Sequence, residues 1–260
     1  MGALAGRHGQ RVNNAVLHMA LRARGYGTTG SIDDTGESSF ISYLAREQVD
    51  LCVDVGANRG EYSEALLRTT CATVIAFEPH PQTYTELVAL EKRHAGRLIT
   101  VNQGVADVEG ELELFWGTNS QLASFSKEVL NIGYVGACNV HRSNVPVTTL
   151  DAHFAGPARH LNDREITLLK IDTEGFEYEV LQGARATLRE RRPKFVQIEL
   201  NHHQLFRGHT LYSISRLLAD YGVYQILPGR RGLQPVSADD PLVNIFGYAN
   251  FVLIRPDVRI

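Results

Sequence analysis

The sequence predicts a doubly wound α/β fold, a mostly parallel sheet with helices on both faces. Apolar runs of five or six residues recur at 51–55, 73–77, 98–102, 166–171 and 195–199, and helical periodicity or a turn separates one run from the next. The first run empties into a glycine-containing turn, Asp54-Val55-Gly56-Ala57-Asn58-Arg59-Gly60, and a helix-like segment leaves it at Tyr62. That is the strand, tight turn and helix start that bring backbone close to a nucleotide-like ligand. Glu78 closes the second run 22 residues after Gly56 (78 − 56), near the roughly 20 expected for a carboxylate that grips a ribose.

The elements follow in order. Residues 12–24 have helical periodicity, and Gly25, Gly27 and Gly30 break it. A second helix is predicted over 38–47, with Phe40, Tyr43 and Leu44 on one face. Residues 1–48 thus read as an N-terminal helical cap, and residues 49–260 as the main domain. From there the pattern alternates: strand 51–55, helix 61–68, strand 73–77, helix 81–93, strand 98–102, then an alternating strand 111–116. The polar, glycine-rich stretch 117–144 is too long for a simple connection, and loops of that length are often functional. Strand 145–148, a short helix near 149–154, strand 166–171, helix 178–190, strand 195–199, helix 210–221 and strands 224–227 and 248–254 complete the chain. The last two strands, joined without a helix, are expected as a hairpin at one edge.

Bulk properties narrow the function. The chain of 260 residues carries a formal net charge of −3, which gives no electrostatic reason to expect nucleic acid. The basic clusters at Arg189–Arg192 and Arg230–Arg231 read as a solvated helix end and a loop. Cys52, Cys71 and Cys138 share no metal-binding or disulfide spacing, which fits a reducing compartment. With Arg7 and Arg11 near the start, no apolar leader and no stretch of 18 apolar residues, neither a signal peptide nor a membrane span is expected, and a cytoplasmic location is.

In such a sheet, ligands bind outside the carboxyl ends of the strands, so the residues just after each run matter most. After the first strand, Gly56 permits a tight turn and close approach, and Gly60 lets the helix begin near the ligand. Asn58 stands where a dinucleotide fingerprint has glycine, which suits a ligand without a pyrophosphate. After the second strand, Glu78 can accept both ribose hydroxyls, or act as dipole partner to the helix that Pro79 and Pro81 introduce. After the third, Ala106 and Asp107 could meet an adenine, or Asp107 could simply turn the chain. After the fourth come Asp172, Glu174 and Glu177, where acid must be solvated, paired or bound to a cation, unless Asp172 caps the next helix. After the fifth come Glu199, Asn201, His202 and His203. Asp172 and Glu199 would close adjacent strands, and with Asn201 they make a Mg²⁺ site plausible.

These stretches resemble the FkbM-family methyltransferases, which use S-adenosylmethionine. The match is carried by VDVGANRGEYS at 53–63, FEPHP at 77–81, VPVTTLD at 145–151, LLKIDTEGFEYEVLQGA at 168–184 and IEL at 198–200. The resemblance implies a class I methyltransferase fold, a seven-stranded sheet parallel but for one edge strand. It implies that Asp54, Gly56, Asn58, Gly60 and Glu78 hold the cofactor, with Glu78 on the ribose; Tyr62, Ala106, Asp107 and Asp172 are grouped with them. Family members usually methylate hydroxyls of sugars, polyketides or other natural products, and some related O-methyltransferases use Mg²⁺. Here Asp172 and Glu199 fall on the metal positions, with Asn201 and His202 both candidates for the third ligand.

The expected activity is therefore O-methylation of a sugar or glycoside, assisted by Mg²⁺, with a small molecule or oligosaccharide as acceptor. Asp172 is placed in the catalytic set, with His141 or His202 as base. The mix of Trp116, Asn119, Ser120, Gln121, Phe125, Tyr134 and Asn139 in and beside the polar loop suits a carbohydrate face. Methylation of a natural product, a non-catalytic S-adenosylmethionine-binding protein and a nicotinamide oxidoreductase are the alternatives; the last lacks the middle glycine. The N-terminal helices could pair two copies across a two-fold axis.

Overall fold

A computed structural model describes residues 7–27, 30–229 and 231–259. Arg230 lies outside them, as do the first six residues of the N-terminal stretch. In chain order the elements are α1 (Arg7–Ala23), α2 (Ile32–Thr35), α3 (Glu37–Leu44), β1 (Leu51–Val55), α4 (Glu61–Thr69), β2 (Thr73–Phe77), α5 (Pro81–Arg93), β3 (Leu98–Val101), β4 (Gly104–Val105), β5 (Gly110–Trp116), α6 (Gly133–Cys138), β6 (His141–Thr148), α7 (Leu150–Ala155), β7 (Ile166–Ile171), α8 (Glu177–Gln182), α9 (Arg185–Glu190), β8 (Phe195–Leu200), α10 (His203–Arg207), α11 (Leu211–Ser215), β9 (Gly222–Ile226), β10 (Leu233–Pro235) and β11 (Ala249–Ile254).

The main sheet has the order β10-β9-β11-β8-β7-β1-β2-β3. Strands β3, β2, β1, β7 and β8 run parallel, as the apolar runs imply for a sheet covered on both faces. The chain adds an eighth strand, the short β10, to the seven expected. The reversed strand β11 is not at the edge: it is inserted between β8 and β9 and pairs antiparallel with both. A second sheet, β4-β6-β5, was not foreseen as a unit. It forms because β6 starts at His141, well before the expected 145, and runs the length of β5.

Two apolar layers flank the main sheet. One gathers Leu150, Val180, Leu181, Leu188 and Ile214 over Val53, Leu169 and Val196. The other gathers Phe40, Ile41, Leu44, Leu66, Leu67 and Leu87 over Val74, Leu168 and Phe195. Each such fully buried side chain contributes on the order of 1.5–3 kcal/mol. Helix α3 therefore belongs to the core, with the Phe40 ring edge-on to Phe195 at 5.7 Å. Helix α1 does not: residues 11–20 are all exposed. The helix expected over 178–190 is two helices, because Asp151 of α7 caps a restart, accepting from the N–H groups of Ala186 (2.8 Å) and Thr187 (2.7 Å).

Candidate active site

A cleft of about 530 Å³ opens over the carboxyl ends of β1, β2, β7 and β8. Its wall on the β1–β2 side is made by backbone. Gly56 holds φ 81°, and a Cβ there would lie 1.8 Å from the carbonyl oxygen of Asp172, so only glycine fits. Asn58 also takes a left-handed conformation, φ 49°. The buried Glu78 carboxylate ties this turn down, accepting from Asn58 N–H (2.9 Å) and from His80 N–H (2.8 Å). Burial pushes its carboxyl up to about 7, against those two N–H groups, which favour the charged form. Asn58 Oδ1 in turn accepts from the Ser120 hydroxyl (3.2 Å), which links the turn to the segment 118–125 along the rim.

The β7–β8 side is built from charged side chains. The ligand oxygens of Asp172, Glu174 and Glu199 all lie within 4.8 Å of one another. Asp172 follows the end of β7, its N–H donating to Val55 O (3.0 Å). Glu174 sits in the turn beyond, itself at φ 53° and followed by Gly175 at φ 107°. Glu177 pins that turn, with one carboxylate oxygen accepting from Thr173 N–H (2.9 Å) and Gly175 N–H (3.2 Å), so it is a structural acid. Burial, then the neighbouring Asp172 and Glu174, push the Glu199 carboxyl well above its usual range. No hydrogen-bond donor among the described residues reaches that carboxylate.

Beneath the acids lies a buried polar row, of which only Asp54 belongs to the expected set. Asp54, Lys170 and Gln197 occupy paired positions across β1, β7 and β8. Lys170 Nζ is 3.1 Å from Asp172 Oδ2 and 3.7 Å from Asp54 Oδ1. Burial alone would drive its charge off, but Asp172, Asp54 and Glu37 outweigh burial and keep it protonated. Gln197 donates to Glu37 Oε1 (2.7 Å) and accepts from the Tyr62 hydroxyl (2.5 Å). Glu37, the first residue of α3, lines the cleft, as do Gly30, Ile32 and Thr35. The signal was present in the sequence: the apolar runs LCVDV, ITLLKI and FVQIEL carry Asp54, Lys170 and Gln197 at positions where a strand buried on both faces would ordinarily exclude them.

Of the expected ligand-holding residues, Gly56, Asn58, Tyr62, Glu78 and Asp172 line the cleft. The others stand elsewhere. Asp54 is fully buried below it, accepting from Ser63 Oγ (2.7 Å). Gly60 faces α5, where a Cβ would meet Leu90 at 2.6 Å and Leu87 at 2.7 Å, so it is required by helix packing. Strand β4 turns Ala106 into the core and leaves Asp107 exposed, so Gln103, Gly104 and Val105 reach the cleft instead. Of the metal set, Asp172 and Glu199 come together, with Glu174 beside them, and Asn201 stands in contact with Glu174. The Asn201 amide is used at both ends, donating to Glu174 Oε2 (3.0 Å) and accepting from His203 N–H (2.8 Å).

The two base candidates differ. His141 is exposed on β6, its ring 4.7 Å from that of Trp116, and is not among the cleft-lining residues. His202 does not line the cleft either, but a chain of hydroxyls reaches it. Tyr248 lines the cleft, its hydroxyl is 3.1 Å from that of Tyr134, and Tyr134 is 2.7 Å from His202 Nε2. Of the loop residues suited to carbohydrate, Asn119, Ser120, Gln121 and Phe125 line the cleft; Trp116, Tyr134 and Asn139 do not.

The chain is similar to several known methyltransferases. The chain is 28% identical over 177 residues to the hexuronic acid methyltransferase AglP of Haloferax volcanii, a match that covers 65% of this chain and 64% of that protein. Among solved structures, an O-methyltransferase from Bacillus cereus in complex with SAH is similar over 93% of this chain and 90% of its own, with TM-score 0.45 and 10% identity. The precorrin-6y C5,15-methyltransferase of Geobacter metallireducens GS-15 is similar over 88% and 95%, with TM-score 0.42 and 12% identity. Residues 54–223, from the buried acid of β1 to the first half of β9, match the methyltransferase FkbM domain, and the chain belongs to that family.

Proposed function

We propose that this chain is an S-adenosylmethionine-dependent O-methyltransferase that acts on a hydroxyl of a sugar or glycoside with the help of Mg²⁺. One observation carries the reading: a single cleft holds both the Gly56–Glu78 wall and three converging carboxylates. In this reading residues 49–260 form the catalytic domain, residues 1–48 add Glu37 to its site, and the protein works in the cytoplasm. The sugar acceptor draws support from the name of the Haloferax volcanii relative and from the amide and hydroxyl groups of Asn119, Ser120 and Gln121 at the cleft.

Glu78 is assigned to the ribose hydroxyls and the backbone at Gly56 to close approach of the cofactor, which supplies a methyl group on positive sulfur. Asp172, Glu174 and Glu199 suit a hard cation, because an undonated Glu199 carboxylate beside two further acids needs a proton or a cation to neutralise it. Mg²⁺ held there would supply Lewis acidity toward the acceptor hydroxyl. Lys170 holds Asp172 in place, and Asn201 orients Glu174. Burial, together with His203, holds His202 below its ordinary pKa, so it is neutral near pH 7 and able to receive a proton relayed through Tyr248 and Tyr134.

The test has two stages. Calorimetric titration with S-adenosylhomocysteine and with NAD should give heat for the first alone. Methyl transfer is then screened over sugars, uronic acids and small natural products, with Mg²⁺ and with EDTA. Transfer to a sugar hydroxyl that EDTA abolishes is the expected result. Activity indifferent to EDTA would remove the cation from the reading, and absence of S-adenosylhomocysteine binding would end it.

A further inference from the structure

Residues 11–20 of helix α1 are exposed, yet the helix is amphipathic. Val12, Val16 and Met19 are 54%, 53% and 66% exposed. At about 100° per residue they share, with Ala23, an arc of about 60°. Arg11 and Arg22 stand about 60–80° round from Met19 at the edge of that arc, close enough for their stems to lie along it. Leu17, 55% exposed, lies off the arc on the other side. At its C-terminal root Leu21 packs on the core, and just beyond the helix the Tyr26 hydroxyl donates to Val243 O (3.1 Å).

Charge says what covers this face. Residues 1–32 contain four arginines and no acidic residue, while the remaining 228 residues carry 22 basic and 29 acidic groups, a net −7. Two copies of α1 packed face to face would bring arginines against arginines with no acid to pair them, which disfavours self-association. An anionic lipid surface satisfies both features, taking the apolar arc among its acyl chains and the arginines at its headgroups. The acidic remainder does not forbid this, because its repulsion is screened beyond a Debye length of about 8 Å.

We propose that α1 is an interfacial anchor that lays this protein on an anionic phospholipid surface. The cleft then stays near that surface. Residues 24–30 can span at most about 23 Å, at about 3.3 Å for each, between the end of α1 and Gly30 in the cleft wall. Gly27 N–H also donates to the carbonyl of cleft residue Tyr248 (2.8 Å). An acceptor carried at a membrane surface would be within reach.

The experiment is flotation of the full chain with phosphatidylcholine vesicles, with and without phosphatidylglycerol. Binding is expected only with phosphatidylglycerol, and weaker by several-fold when salt is raised. The double variants V16E/M19E and R11E/R22E should each reduce it at least tenfold, while melting temperature and S-adenosylhomocysteine binding stay at the parent values, since α1 lies outside the core. No flotation with phosphatidylglycerol, or flotation unchanged in V16E/M19E, would overturn the proposal. So would a dimer in sedimentation that V16E/M19E dissolves while vesicles capture nothing, because the face would then belong to a second copy.

Discussion

The two halves of the cleft are built by different means. On the β1–β2 side, shape comes from backbone: glycine at 56, a left-handed Asn58, and a carboxylate, Glu78, that fastens the turn through two N–H groups. On the β7–β8 side, charge decides. Asp172, Glu174 and Glu199 converge over Lys170, and Glu37 approaches from α3. A wall of backbone tolerates little change in volume and depends on charge chiefly through the buried Glu78. A cluster of buried acids is the reverse: its geometry holds only while its charges are compensated. Damage to the first half should therefore appear as lost cofactor binding, and damage to the second as lost turnover, with stability lost too where a buried charge is left unpaired.

The largest effect expected is from Lys170→Met, which keeps the volume and removes the cation shared by Asp54, Asp172 and Glu37. Breaking a buried pair costs about 3–5 kcal/mol, read by urea denaturation. A loss below about 1 kcal/mol would mean that the acids neutralise themselves by taking up protons. Next, Asp172→Ala should lower methyl transfer by about 10²–10³-fold while S-adenosylhomocysteine still binds. Equal losses in both measurements would erase the distinction between the halves.

Glu78 tests the other half through pH. Its folded pKa of about 7 lies above the ordinary 4.5, so between those values the folded state keeps a proton that the unfolded chain has released. The stabilisation is complete below about pH 4.5 and is lost as pH rises through 7, by up to about 3 kcal/mol. Melting of the ligand-free protein at successive pH values should show this fall, and Glu78→Gln should make it shallower, with the buried Glu199 still contributing. A parallel profile in the variant would mean the carboxyl is not proton-linked to folding. The smallest effect separates the histidines. His202→Ala should cost about tenfold in turnover and shift the pH–rate profile, whereas His141→Ala should leave both unchanged. The opposite outcome would return the base to β6.

Much of this was legible in one dimension. Strands β1, β2 and β7, helix α5, the Gly56 turn, Glu78 and the acid run at 172–177 follow from local rules: apolar runs for buried strands, proline at a helix start, glycine where φ is positive. What local rules missed depends on partners distant in sequence. β4 exists only because β6 passes beside it, and that pairing moved Ala106 and Asp107 off the cleft. Glu174 joins Asp172 and Glu199 because a turn beyond β7 brings it there, where the Asn201 amide donates to it. Glu37 reached the site because α3 packs on Phe195.

The sequence by itself determined the sheet's parallel core and the edge at which chemistry collects, since both rest on hydrophobic period and chain direction, which neighbouring residues encode. Only the tertiary structure decided which polar side chains share that edge. Hydrogen bonds and ion pairs act over about 3–4 Å, and residues as far apart as Glu37 and Gln197 come within that range only after the chain has folded.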